Sequence, residues 1–496
     1  MMMRCKSSGN HLWVQLRFFC NKSSYPLHIC IVGSGPAGFY TADKLMKRFG
    51  QAKVNMLERL PTPFGLVRSG VAPDHPETKV VVNQFSRVAA SDRFSLIGNV
   101  SLGKDVSVED LRKLYHVVVF AYGAESDREL GIKGEDLKGV HSAREFVWWY
   151  NGHPDGLKLT LDLERTDTAV ILGQGNVALD AARILLRPTE DLMQTDIAEH
   201  ALAALRRSQV RKVFLVGRRG PVQAACTAKE LREILGIKGL NVFVQEADLV
   251  TSPADMEEMK LNRSHKRVYE LFTKAAMKSL SESVGNEKEL HFVFFRAPSA
   301  ILPCDDKVHV GGVSLEKTTL QGMMDAGQII NGQQLAVGTG VFEELACGLV
   351  LKSIGYKSKL VAGLPFDLKK GVIPNFQGRV LNDEAQNSKY EKGLYVVGWL
   401  KRGPTGIIGT NMICAEEVVE SIAQDLEQGL LTSFLDVPGY FGLLELLQDK
   451  AIQFLSFDDW QKINQEEIRR GELKGKIREK IVRTEEQLEV ARKVRV

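Results

Sequence analysis

Residues 28–38 read His-Ile-Cys-Ile-Val-Gly-Ser-Gly-Pro-Ala-Gly, and the fold follows from this stretch. The apolar run from His28 to Gly33 has the composition of a strand buried on both faces of a parallel sheet. Gly33, Gly35 and Gly38 then spell G-x-G-x-x-G, and a helical pattern follows from Phe39 to Phe49. In such a turn Gly33 permits the tight bend, Gly35 lets a pyrophosphate approach the backbone, and Gly38 lets helix and strand pack closely. The start of the helix offers unpaired N–H groups to the phosphates. A second short apolar run, residues 54–57, ends at Glu58, 20 positions after Gly38. A carboxylate there accepts hydrogen bonds from a ribose and repels a 2′-phosphate, so the site suits FAD or NAD and not NADP.

The pattern returns in the middle of the chain. Residues 169–172 form an apolar run, Gly173-Gln174-Gly175-Asn176-Val177-Ala178 the turn, and residues 179–186 a helix, with Ala178 in place of the third glycine. A helical insertion is expected over about residues 189–208, before a strand at 212–216. At the end of that strand stand Arg218 and Arg219, where an acid would otherwise sit. Guanidinium groups match a phosphate, so this second site prefers NADP. Gly173 and Arg218 lie 45 residues apart, which requires the insertion to be a true excursion. Two sites of opposite ribose preference in one chain point to one nucleotide passing electrons to the other.

A third strand is expected over residues 394–398, followed by Trp399-Leu-Lys-Arg-Gly-Pro-Thr-Gly406-Ile407-Ile408 and a helix from about 411 to 426. The glycine-rich loop offers backbone N–H groups, and Trp399 a flat face for an aromatic cofactor.

Composition narrows the class. The 496 residues, 44% of them hydrophobic, are ample for two to four domains with large cores. A net charge of +4 gives no reason to expect nucleic-acid binding. The seven cysteines are widely spaced, with no C-x-x-C, which argues against a disulfide framework, a redox dithiol or a metal site held by the protein. No run has the length of a transmembrane span. The first 42 residues lack Asp and Glu but contain Arg4, Lys6, Arg17 and Lys22, so residues 1–24 read as an organelle transit peptide. Residues 462–496 mix eleven basic with seven acidic side chains and read as an exposed helical or frayed extension.

The strings GSGPAGFYTA (33–42), PFGLVRSGVAPDHPE (63–77), GQGNVALDAARIL (173–185), VGRRGP (216–221) and VGWLKRGPTGII (397–408) resemble the mitochondrial adrenodoxin reductase family. The likeness runs from about residue 27 to about 480. It implies an α/β protein with two Rossmann-like dinucleotide-binding domains, the NADP domain (126–363) inserted in a discontinuous FAD domain (25–125 and 364–496). By resemblance FAD contacts the turn of Gly33, Gly35, Ala37 and Gly38, then Glu58, Leu66, Leu102, Trp399, Gly406, Ile407 and Ile408. NADP(H) contacts Gln174, Gly175, Asn176, Val177, Arg218, Arg219, Glu230 and Gly406. His75 and Asp180 match residues that handle protons near the flavin. Arg232, Arg263, Lys266 and Arg267 match a basic surface that docks an acidic [2Fe–2S] ferredoxin of the adrenodoxin type.

The expected reaction is hydride transfer from NADPH to FAD, then single electrons to that ferredoxin in the mitochondrial matrix. No protein metal and no nucleic-acid partner are expected, and contact with the inner membrane would be peripheral. A disulfide reductase with the same two turns needs a cysteine pair beside the flavin, which the spacing excludes. A flavin-dependent NADPH oxidase or monooxygenase and a non-catalytic NADP-binding sensor remain as alternatives.

Overall fold

The computed structural model describes residues 26–281, 288–325, 328–382, 389–431 and 436–493. The expected transit peptide, 1–24, lies outside the described residues.

The first strand, His28–Val32, is almost wholly buried, as its apolar composition demands, and is an interior strand of a seven-stranded sheet. It pairs in parallel with Lys53–Leu57 on one side and Val117–Phe120 on the other. Phe94–Ile97 extends the first side. Tyr390–Val396 extends the second, with Leu394 opposite Val118. Two short antiparallel strands, Arg379–Leu381 and Asn375–Phe376, close that edge. The chain therefore moves outward on one side of His28–Val32 and returns on the other. Such a reversal of strand order opens a crevice at the carboxyl ends of the central strands.

The second sheet has six strands, all parallel, in the order Val140–Ser142, Leu349–Lys352, Thr168–Leu172, Lys212–Val216, Lys288–Val293, Leu240–Val244. The long gap between its second turn and Lys212–Val216 is filled by helices Thr189–Leu192 and Glu199–Arg207. Leu202 and Leu205 bury that excursion against Phe146 and Tyr150 in one core. An antiparallel sheet of Arg296–Pro303, Val310–Asp325 and Gln328–Ala346 stands beside it.

Strands of the first sheet come from residues before 121 and after 374, and those of the second from residues 140–352, so one Rossmann-like domain is inserted in the other. The chain crosses between them on Ser126–Asp127 and Tyr356–Lys357, which pair antiparallel.

The reading of residues 462–496 as an exposed or frayed extension is corrected by the structure. Helices Phe457–Glu472 and Thr484–Arg492 pack on the first domain, with Trp460, Ile463 and Ile481 in its core. Glu467, Lys476, Glu479 and Lys480 are buried as well. Charge composition misled because these charges pair with one another and with residues far away in sequence: Glu467 takes both terminal nitrogens of Arg68, at 2.9 and 2.5 Å. Paired and hydrogen-bonded, a charge tolerates burial that it would otherwise resist.

Candidate functional site

The two glycine turns lie at the carboxyl ends of the central strands of the two sheets. In the first, Gly33 has φ +110°, and a Cβ on it would stand 2.6 Å from the backbone of Ala121. A Cβ on Gly38 would stand 2.1 Å from the carbonyl oxygen of Gly33, so the third glycine is imposed by helix–strand contact. A Cβ on Gly35 would meet nothing within 4 Å. This glycine leaves room outside the fold, as a pyrophosphate cradle requires. Helix Pro36–Arg48 begins at Gly35, and no side chain caps it. Its first N–H groups remain available to an anion.

The rest of the first site is built around that turn. Glu58 accepts hydrogen bonds from Ser34 N (3.2 Å), Ser34 Oγ (2.7 Å) and Leu60 N (2.9 Å). Burial pushes its carboxyl up while these donors pull it down. Phe64 N donates to Ser34 O at 3.1 Å, which lays the PFGLVR segment on the turn. Gly65 touches it: a Cβ there would be 2.9 Å from Gly35 Cα, and Leu66 opens the next helical turn, Leu66–Ser69. Val100 N donates to Glu58 O, and Leu102 packs on the core beneath. Gly398, at φ +72°, brings the third glycine loop against the same turn, for a Cβ on it would stand 2.6 Å from Ala37 Cβ. Trp399 follows directly, with its ring 6.1 Å from that of Tyr356. Helix Thr410–Glu427 packs along Pro36–Arg48, placing the loop of Gly406, Ile407 and Ile408 at its start. Ile407 is 68% exposed while Ile408 packs on the core.

The second turn repeats the geometry. Gly173 has φ +131° and its Cβ would stand 2.2 Å from Ser353 O, whereas a Cβ on Gly175 would meet nothing within 4 Å. Helix Asn176–Leu186 is likewise uncapped by any side chain. Gln174 is turned inward, donating to Leu215 O (3.0 Å) and Val293 O (3.1 Å), so its side chain braces the turn from below. Asn176 Oδ1 accepts from Thr227 N at 2.8 Å and ties down helix Ala228–Leu235, which carries Glu230. Val177 packs at the edge of the core. Arg218 is exposed and Arg219 half-buried. Burial and the adjacent Arg218 both lower the affinity of Arg219 for its proton. Two guanidinium groups held together repel unless an anion lies between them. The donor set thus fits a dinucleotide with a phosphate on the ribose at the second turn, and one with free ribose hydroxyls at the first.

Between the turns lies a cluster that joins the two domains. His75 Nε2 lies 2.8 Å from both carboxylate oxygens of Glu233 and 3.8 Å from Glu230 Oε2. Asp74 accepts from Arg183 Nε (2.7 Å) and Arg187 Nη1 (2.6 Å). Asp180 Oδ1 lies 2.8 Å from Arg183 Nη2. Burial raises the Asp180 carboxyl to about 6 against the pull of Arg183, and the Glu230 charge adds to the rise. Carboxylates pressed together in a buried place resist simultaneous ionisation. The structure therefore brings His75, Asp180 and Glu230 together. Asp74, Arg183 and Glu233 were missed by the sequence reading. The i,i+3 spacing of Asp180 and Arg183 marked one contact, but nothing local marks Glu233 as the partner of His75, 158 residues away.

Arg232 lies on helix Ala228–Leu235, and Arg263, Lys266 and Arg267 lie on Arg263–Ser281, which packs beside it. All four are exposed.

Comparison with known proteins agrees with this geometry. Residues 27–235 match the family model described as pyridine nucleotide-disulphide oxidoreductase. A protein of Arabidopsis thaliana named NADPH:adrenodoxin oxidoreductase, mitochondrial, is 59% identical over 478 residues, 96% of this chain and 97% of that one. The Homo sapiens protein of the same name is 48% identical over 466 residues, 93% of this chain and 91% of its own length. The solved structure of Mycobacterium tuberculosis FprA in complex with NADPH superposes with a TM-score of 0.85 at 38% identity, covering 94% of this chain and all of that one. Among the described residues no helix is long and apolar enough to cross a membrane. The chain therefore belongs to the mitochondrial NADPH:adrenodoxin oxidoreductase family, and is an FAD-dependent oxidoreductase that takes its electrons from NADPH.

Proposed function

We propose that this chain passes electrons from NADPH, through FAD, one at a time to a [2Fe–2S] ferredoxin of the adrenodoxin type in the mitochondrial matrix. The observation that carries this reading is the pairing of two open glycine turns, at Gly35 and Gly175, with ribose ends of opposite charge, Glu58 and Arg218–Arg219. A bound flavin supplies the conversion of a two-electron donor to one-electron delivery.

The chain's own residues bind and orient. The turn of Gly33, Gly35, Ala37 and Gly38 would hold the FAD pyrophosphate at the uncapped start of helix Pro36–Arg48, Glu58 would take the ribose, and Leu66, Leu102, Trp399, Gly406, Ile407 and Ile408 would border the rest. Gln174 to Val177, Arg218, Arg219, Glu230 and Gly406 hold NADP(H). The loop of Gly406 starts the helix that flanks the first turn. Burial raises the Asp180 carboxyl to about 6, which suits it to hold a proton near neutral pH, and His75 Nε2 stands 2.8 Å from the Glu233 carboxylate beside it. Arg232, Arg263, Lys266 and Arg267 steer an acidic ferredoxin to the second domain. The domain junctions fall near 125 and 363, residues 1–24 form the transit peptide, and any contact with the inner membrane is peripheral.

Anaerobic titration of the yellow holoprotein with NADPH, followed by mitochondrial ferredoxin, tests the reading. Bleaching by NADPH and recovery on adding oxidised ferredoxin are expected. Rapid NADPH oxidation in air at the same rate with and without ferredoxin would instead favour an oxidase or monooxygenase. A colour unaffected by NADPH would favour a binding sensor.

A further inference from the structure

Helix Phe457–Glu472 and the connection that follows it bury charge at the junction of the two domains, at Glu467, Lys476, Glu479 and Lys480. Their hold on the first domain falls on both sides of Gly65 and Leu66. Phe64 meets the ring of Trp460 edge-on at 5.9 Å. Arg68 lies over the same ring, its Cζ 4.9 Å from the centroid, and is gripped at both terminal nitrogens by Glu467. Glu467 is held within the segment as well, accepting from Ile481 N at 3.0 Å and from Arg478 Nη1 at 3.4 Å. Lys480, 3% exposed, donates to Arg68 O (3.1 Å) and to Asn151 Oδ1 (3.3 Å).

The same ammonium reaches the other domain. Lys480 Nζ stands 3.2 Å from Asp196 Oδ2, and Lys79 of the first domain closes on Asp196 from the other side at 2.7 Å. Lys476 adds a bond to Ile197 O at 2.7 Å. Asp196 lies in the excursion between helices Thr189–Leu192 and Glu199–Arg207, the insertion that lengthens the second dinucleotide unit. One short stretch of chain thus ties the loop over the first turn to the insertion of the second.

We propose that Glu467 and Lys480 are positioning residues of the reaction. Through Arg68 they hold the Phe64–Ser69 loop on the first glycine turn, and through Asp196 Lys480 sets the second domain at the separation that hydride transfer needs. The inference rests on the assignment of FAD to the first turn. Its physical basis is that a buried charge with fixed partners has one geometry, whereas an apolar contact can slide. Transfer between stacked rings is sensitive to displacements of about 1 Å.

The two arms can be tested apart on the purified holoprotein. Glu467→Gln weakens the grip on Arg68 and should raise the FAD dissociation constant, read from flavin fluorescence, about tenfold. Asp196→Asn keeps hydrogen-bonding capacity but loses the charge. It should slow flavin reduction at saturating NADPH about fivefold in stopped flow, with FAD affinity unchanged. If Glu467→Gln fails to fold, Asp196→Asn decides alone. A lower melting temperature with wild-type FAD affinity and wild-type reduction rate in both variants would reduce the segment to scaffolding and overturn the proposal. Gly35→Val guards the premise: if that variant keeps FAD at wild-type affinity, the assignment of FAD to the first turn fails, whatever Glu467→Gln and Asp196→Asn do.

Discussion

The two glycine turns solve the same problem with unequal means. At the first position both demand glycine for the same reason, since Gly33 and Gly173 press on the backbone of the next strand across the crevice. At the second position both are open, and a Cβ would meet nothing within 4 Å. They part at the third. Gly38 lies under the carbonyl of Gly33, whereas Ala178 fits in the second turn, fully buried. They differ again in support. The first turn is covered by the Phe64–Ser69 loop and by Gly398, which arrive from distant parts of the chain. The second is braced from below by Gln174 and Asn176. A turn enclosed by several segments suits a resident cofactor, and a more open one suits a nucleotide that must enter and leave at each turnover.

The sharpest way to break this comparison is at the two open glycines. Gly35→Val should yield a folded protein without flavin, its FAD affinity down more than about 100-fold. Gly175→Val should stay yellow while NADPH binding falls by a similar factor. Loss of both ligands in either variant would show that the turns are not independent sites. Next in size is the ribose end of the second site. Arg218→Ala should weaken NADPH about 10–30-fold, the worth of a charge-assisted contact, and NADH less than about twofold. Equal losses would remove the 2′-phosphate from Arg218. The docking surface should respond less: Arg267→Glu is expected to raise the ferredoxin KM about fivefold at low salt, less as salt rises, with NADPH-dependent dye reduction intact. Equal loss of both activities would place Arg267 elsewhere in the mechanism.

The smallest effect concerns Asp180, whose folded value of about 6 exceeds the roughly 3.9 of an unfolded aspartate. Between these values the folded state binds more protons, so this group costs stability as pH rises from about 4 to 6, and in full above 6. Asp180→Asn should therefore match the parent in denaturant unfolding near pH 4 and exceed it by roughly 1–2 kcal/mol above pH 6. Equal stability at both ends would mean that Arg183 already compensates for the burial.

Much of this was legible locally. A strand, a glycine turn and a helix are short-range structures, so residues 28–58 and 169–219 were legible as dinucleotide turns, each with its charge at the end of the next strand. The charged C-terminus was misread for the complementary reason. Composition counts charges, while burial depends on partners, and the partners of Glu467 and Lys480 are Arg68 and Asp196, hundreds of residues earlier. The cluster around His75 belongs to the same class: its residue types were visible, its pairing with Glu233 was not.

The sequence by itself determined that this chain holds two dinucleotide units with opposite charges at the following strand ends, because φ-permissive glycines and end-of-strand charges act within a few residues of where they stand. Only the tertiary structure decided how those units meet. The loop over the first turn, the interdomain histidine and the C-terminal ion pairs are contacts between segments far apart along the chain, and their energy depends on burial and distance that no local pattern encodes.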